Sequence, residues 1–244
     1  MTTLDEKIAA SGRQTFVNSV FDRVARRYDL MNDIMSGGLH RLWKDAVINW
    51  LAPSPTVPVR LVDVAGGTGD ISRRFLRAAA PGSAAVICDI NAAMMREGAV
   101  DRAKQSGSQP FLVQGDAVSL PFAERSFGAY IIAFGIRNVP DIEAALAEAY
   151  RVLKPGGRFL CLEFSQVTTP MLDNIYAAYS ERIIPLMGRA VAGDSEPYRY
   201  LVESIAKFPN QKTFAGMIEA AGFMRVQYRN LSGGVAAIHS GIKA

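Results

Sequence analysis

Apolar residues follow two different rhythms along this chain. At the start the period is helical: Phe16, Val20, Val24 and Tyr28 recur every fourth residue, and Leu39, Trp43, Ala46, Val47 and Trp50 share a second face. A polar, glycine-bearing break over 32–38 separates the two stretches. Pro53, Pro55 and Pro58 follow closely, and a helix cannot continue through them. The pattern predicts an N-terminal helical cap and linker over 1–58.

From Val59 the rhythm changes to short, uniformly apolar runs alternating with helical stretches. Strands are predicted at 61–65, 84–90, 111–114, 129–134 and 159–164, with helices at 71–80, 92–104 and 142–153. Strands apolar on both faces and separated by helices belong in a parallel sheet covered on both sides. The tail departs from this. A helix over 214–221 is closed by Gly222, and two strand-like runs, 225–230 and 235–240, are joined by Ser232-Gly233-Gly234. A connection that short permits only antiparallel pairing. The expected architecture is an α/β fold in one domain. A Rossmann-like, mostly parallel sheet over 59–244 ends in an antiparallel hairpin, the pattern of class I methyltransferases rather than dehydrogenases.

Composition narrows this little. The chain has 244 residues, 49% hydrophobic and 20% charged, which suits a globular domain with a sizeable core. No run approaches the roughly 18 apolar residues of a membrane span, and 1–13 lacks the apolar run of a secretory signal. The two cysteines, Cys88 and Cys161, sit inside apolar runs and read as buried thiols of a chain kept in the reducing cytoplasm. A net charge of +4 is spread out, and Arg26-Arg27 and Arg73-Arg74 with Arg77 read as solvated helix faces, so no nucleic-acid partner is expected. Two histidines and no cysteine cluster give no metal site.

The sharpest local signal is Asp63-Val-Ala-Gly-Gly-Thr-Gly-Asp70, between the first predicted strand and helix. Gly66 and Gly67 allow a tight turn and let a ligand lie against the backbone, with Thr68 beside it. A dinucleotide fingerprint starting at Gly67 needs a third glycine where Ser72 stands. Asp89, 20 positions past Gly69, ends the second strand, where a carboxylate grips both ribose hydroxyls. Asp116-Ala117 follows the third strand, placed for an adenine edge. S-adenosylmethionine has no phosphate, so Asp63 and Asp70 are tolerable where a pyrophosphate would be repelled. Two local alternatives stay open: Asp63 bonded to loop amides, and Asp89 as a helix cap.

At two longer stretches the chain resembles a known family. Tyr28-Asp-Leu-Met-Asn-Asp-Ile-Met-Ser-Gly-Gly-Leu-His40-Arg-Leu-Trp43 and Arg151-Val-Leu-Lys-Pro-Gly-Gly-Arg-Phe-Leu-Cys-Leu-Glu163-Phe-Ser165 resemble the C-methyltransferases of quinone biosynthesis. These act on demethylmenaquinol and 2-methoxy-6-polyprenyl-1,4-benzoquinol. Phe134-Gly-Ile-Arg-Asn138 and the tail from Asn230 to Lys243 extend the match. The resemblance implies S-adenosylmethionine held at Thr68, Asp89, Asp116 and Ala117, the same strand ends. Asp116 and Ala133 depart from the Asn and Ser common in the family.

The implied reaction joins a methyl group to a ring carbon, which becomes nucleophilic once a neighbouring hydroxyl is ionised. Arg137 is the first candidate for stabilising that phenolate, against a structural pairing with Asp141. His40 and Tyr28 are candidate proton carriers on the cap. A stripe from Leu172 to Leu186 is a candidate wall for a polyprenyl tail, against ordinary core packing. The expected partners are the polyprenyl quinol, the inner membrane face touched peripherally, and a second copy or a quinone-biosynthesis complex. The competing readings are a methyltransferase of another phenolic or lipid-like acceptor and a silent scaffold.

Overall fold

The computed structural model describes residues 33, 36–103, 108–167 and 196–244, with side chains at 33, 36–98, 108–167 and 200–244. Tyr28, the first helical stripe and the Leu172-to-Leu186 stripe lie outside the described residues.

The elements are α1 (His40–Leu51), β1 (Arg60–Val64), α2 (Asp70–Ala78), β2 (Ala84–Asp89), α3 (Ala92–Ala103), β3 (Phe111–Gln114), β4 (Phe127–Ala133), α4 (Ile142–Val152), β5 (Leu153–Phe164), α5 (Glu196–Lys207), α6 (Gln211–Ala220), β6 (Phe223–Leu231) and β7 (Ala236–Lys243). Among the described residues seven strands form one sheet in the order β3-β2-β1-β4-β5-β7-β6. The first five are parallel, and β7 runs antiparallel to both β5 and β6. The predicted hairpin is therefore present, joined by a short turn at Ser232–Gly234.

Strand side chains alternate between two apolar layers, as a pleated ribbon requires. Leu61, Ile131, Leu160, Leu162 and Ile238 meet Trp43 and Val47 of α1, Phe75 of α2 and Leu201 of α5. Val62, Val64, Tyr130, Ile132 and Phe159 meet Leu146 and Ala149 of α4 and Phe214 and Ile218 of α6. Cys88 and Cys161 are buried free thiols. No helix among the described residues is long and apolar enough to cross a membrane.

Two expectations shift. The fifth strand begins at Leu153 rather than 159, because the chain passes from α4 straight into pairing with Phe127, across an irregularity between Phe127 and Ala129. The buried face of α1 is His40, Trp43, Lys44, Val47, Ile48 and Leu51, whereas Leu39 is exposed and Ala46 and Trp50 are only partly covered. Two polar residues are thus inside, and each has a carboxylate partner: His40 with Asp33, Lys44 with Asp70.

Candidate active site

At the carboxyl ends of β1, β2 and β4 the described residues enclose an open cleft of about 980 Å³, solvent at its mouth included. Ligands of open α/β sheets bind at this end, where the strand order reverses between β1 and β4. Gly66, Gly67, Thr68, Asp89, Asp116 and Ala117 all line it.

The loop after β1 is held by close approach and by hydrogen bonds. A Cβ on Gly66 would stand 2.8 Å from both Cγ and the carbonyl oxygen of Asp63, so glycine is required there. Gly69 donates its N–H to the Gly66 carbonyl (2.8 Å), and Arg73 donates to the Thr68 carbonyl (2.8 Å). From the other side, Gly98 of α3 lies so close that a Cβ on it would meet the Thr68 oxygen at 2.3 Å.

Four carboxylates line the cleft, and their surroundings set them apart. Asp63 is buried, and its Oδ2 accepts from the Ser72 N–H (3.0 Å) and hydroxyl (2.8 Å). Its Oδ1 has no partner, and burial pushes its pKa up to about 7 against those two bonds. The backbone-bonding alternative for Asp63 is what this shows on one oxygen. Asp70 is also desolvated, which would raise it, but Lys44 (3.0 Å) and Arg74 (3.1 Å) overcome that and bring it down to about 2. Asp89 accepts from the Gly67 N–H through Oδ2 and from the Asn91 N–H through Oδ1, both at 2.8 Å. Burial raises its pKa and the two amides oppose the rise. Asn91, not Asp89, accepts the Met94 N–H at 3.0 Å in capping position for α3. Asp116 Oδ1 accepts from the Val118 N–H at 3.1 Å, which fixes the turn that presents Ala117.

The catalytic candidates are placed differently. Arg137 sits in a single helical turn, Ile136–Asn138, after β4. It does not line the cleft, although its neighbours Phe134, Gly135 and Asn138 do. Its Nη1 donates to Glu163 Oε1 (2.6 Å) and to the Phe134 carbonyl (2.7 Å). Its Nε and Nη2 are buried without a partner. The alternative pairing with Asp141 is not found: Asp141 caps α4 by accepting from the Ala144 N–H, and Glu163 takes the guanidinium instead. His40 is buried outside the cleft lining, its Nε2 2.9 Å from Asp33 Oδ1. Burial lowers its pKa, the Lys44 charge adds to that, and Asp33 opposes it.

Sequence reasoning passed over Lys44, Glu163, Asn138 and Gly98. Lys44 lines the cleft one residue beyond the first signature, and Asn138 is held by the Tyr200 hydroxyl of α5 at 3.0 Å. Glu163 was visible in the second signature but had no assigned partner.

A profile of the ubiE/COQ5 methyltransferase family matches residues 8–243 of the chain. The chain belongs to that family. It is 61% identical over 240 residues to the ubiquinone/menaquinone biosynthesis C-methyltransferase UbiE of Methylobacterium nodulans, covering 98% of this chain and 93% of that one. Against the UbiE of Bradyrhizobium diazoefficiens it is 58% identical over 231 residues, covering 94% and 91%. A SAM-dependent methyltransferase of Thermotoga maritima superposes with a TM-score of 0.63 at 20% identity, covering 93% of this chain and 99% of that chain, which shows the class I fold. The ubiE/COQ5 chain is thus a methyltransferase that uses S-adenosylmethionine. Among its described residues no group of three or more His, Cys, Asp or Glu is placed to hold a metal ion.

Proposed function

We propose that this chain methylates a ring carbon of a polyprenylated quinol, 2-methoxy-6-polyprenyl-1,4-benzoquinol or demethylmenaquinol, in ubiquinone or menaquinone biosynthesis. Family membership along nearly the whole chain, 8–243, carries the reading.

The cleft fits the co-substrate. A buried carboxylate oxygen without a partner, Asp63 Oδ1, suits a ligand that brings cationic groups. Asp116 and Ala117 stand at the end of β3 for the adenine, Asp89 at the end of β2 for the ribose, and Gly66, Gly67 and Thr68 under the methionine portion. When bound, S-adenosylmethionine supplies an electrophilic methyl group on a sulfonium.

The chain's own task is to make the acceptor carbon nucleophilic and keep water away. Arg137 is assigned to the developing phenolate. Its Nε and Nη2 are preorganised donors, and Glu163 holds the other arm of the guanidinium. A fixed cation favours the ionised hydroxyl and so pushes charge into the ring. Trp43, Phe134 and Phe164 pack together, with the Arg137 guanidinium 5.7 Å from the Phe164 ring centre, and this aromatic cluster excludes water. Tyr28 is outside the described residues, and His40 and Arg137 both lie outside the cleft lining, each bonded to a carboxylate and each with a buried nitrogen that lacks a partner; Arg137 is put first for its permanent charge. The exposed Leu39, just before α1, and Leu42 beside Arg41 on it suit shallow peripheral contact with an anionic bilayer that holds the quinol.

The test is transfer from methyl-labelled S-adenosylmethionine to reduced demethylmenaquinol and methoxy-polyprenyl-benzoquinol analogues, followed by mass spectrometry. Label on a ring carbon of the quinol, and none on the oxidised quinone, is the expected result. Cofactor binding without transfer to either quinol would overturn the acceptor assignment.

A further inference from the structure

On the β4 side the wall of the cleft is made by Ala133, Phe134, Gly135, Asn138, Val139 and Pro140. Asn138 is the one residue of that wall with a polar side chain. It ends the single helical turn after β4, beside Arg137, and it is buried. Its two polar atoms are unequally engaged. Oδ1 accepts the hydroxyl of Tyr200, a buried residue of α5, at 3.0 Å, while Nδ2 has no partner among the described residues.

We propose that Asn138 donates from Nδ2 to the ionised ring oxygen of the acceptor, and that Tyr200 is the positioning residue that holds the carboxamide in that orientation. The inference rests on the reading of the chain as a quinol methyltransferase. A carboxamide turned over keeps its shape and reverses its polarity. With Nδ2 toward the cleft it meets an oxyanion as a donor, and with Oδ1 there it repels it. A phenol is a far stronger acid than an amide, so the hydroxyl is the natural donor between the two groups. Its bond to Oδ1 leaves Nδ2 for the ligand.

The strand order places Asn138 on the acceptor side. The sheet runs β3-β2-β1-β4, with Asp116 after β3, Asp89 at the end of β2 and the glycine loop after β1. A co-substrate laid along those three strand ends presents its methyl group toward β4. An acceptor carbon in line with that methyl then lies against the 133–140 wall. The ends of β1 and β2, the turn after β3 and the start of α2 carry Asp63, Asp89, Asp116 and Asp70, and each repels an oxyanion. Asn138 supplies a donor on the side that has no carboxylate in the lining.

Arg137 and Asn138 then divide the work. The guanidinium stands outside the cleft lining and contributes charge, and the amide stands in the lining and contributes contact. A donor bonded to the ionised form lowers the pKa of the ring hydroxyl, so more of the bound quinol is nucleophilic at neutral pH. Neither Asn138 nor Tyr200 takes the proton. They act on where the negative charge rests.

The test is the pH profile of kcat for methyl transfer to a reduced demethylmenaquinol analogue. Tyr200→Phe keeps the ring and removes the hydroxyl. It is expected to lower kcat roughly 10-fold at neutral pH and to move the acid limb up by about one unit, so that the loss shrinks as pH rises. KM for S-adenosylmethionine should not change. Asn138→Ala is expected to move the limb in the same way, and the double variant no further than Asn138→Ala alone. A loss equal at every pH, or two effects that multiply, would make Tyr200 a packing residue and overturn the proposal. The wild-type chain gives a measurement that needs no variant to fold. The same quinol held with S-adenosylhomocysteine should ionise, by its absorption spectrum, below its pKa in free solution, and an unlowered pKa would overturn the proposal. A wild-type chain that transfers no methyl group to a quinol defeats the acceptor reading and this inference with it. Transfer by variants indistinguishable from wild type defeats this inference alone.

Discussion

Arg137 and Glu163 form an ion pair at 2.6 Å, with side chains only 1% and 2% exposed, between the turn after β4 and the end of β5. Glu163 Oε1 also accepts the Phe164 N–H at 2.9 Å. Burial raises the Glu163 pKa, and the Arg137 charge and the Phe164 and Arg137 amides pull against it. Removing one partner leaves the other charged in an apolar layer. Glu163→Ala is therefore expected to cost about 3–5 kcal/mol of stability by urea unfolding, and Arg137→Met with Glu163→Leu together much less than the sum. Methyl transfer should be lost in both, since each frees or removes the guanidinium. Equal stability of Glu163→Ala and wild type would refute the pairing.

Asp70 predicts an acid-labile component of stability. Its folded pKa is about 2 against an ordinary 3.8, so the carboxylate form favours the folded chain. For a depressed acid the contribution is present above about pH 4 and lost as pH falls toward 2. The difference amounts to about 2 kcal/mol. Asp70→Asn should show a smaller fall in unfolding free energy between pH 5 and pH 2 than the wild-type chain.

Asp63 predicts the opposite sign. With its folded pKa raised to about 7, the chain gains from a protonated Asp63 and loses that gain as pH climbs from about 4 through 7. Asp63→Asn keeps an acceptor for Ser72 and removes the ionisation. In the absence of ligand, its stability relative to wild type should increase between pH 5 and pH 8. A constant difference across that range would contradict the assignment.

Gly98 sets helix propensity against packing. Alanine in a helix interior is ordinarily more stable than glycine by about 1 kcal/mol. Here the added Cβ meets the Thr68 carbonyl oxygen at 2.3 Å, so the backbone of the cofactor loop or of α3 must move. Gly98→Ala is expected to weaken S-adenosylmethionine binding by calorimetry, with circular dichroism unchanged. Unchanged affinity would mean that α3 yields instead of the loop.

The alternating runs and the glycine loop were legible in the sequence because their causes are local. A strand buried on both faces must be apolar throughout, and the turn after β1 admits only glycine at Gly66. Asp89 and Asp116 were found for the same reason, since each is the residue at or just after a strand end. Of the face read for α1, Trp43 and Val47 are buried as expected, while His40, Lys44, Ile48 and Leu51 take the places given to Leu39, Ala46 and Trp50. Local periodicity counts polar side chains as exposed, and only tertiary contact supplied Asp33 for His40 and Asp70 for Lys44.

Arg137 shows where local reading stops. The sequence offered Asp141, four positions away, as its partner, and the fold supplied Glu163, which is 26 positions away. Parallel pairing of β4 with β5 brings those two strand ends side by side, and no periodicity within either strand encodes the distance between them. The sequence by itself determined the alternation of strands and helices, the glycine loop and which carboxylates stand at the strand ends. The tertiary structure decided which buried charges meet, because a buried charge is tolerated only where another element brings its complement.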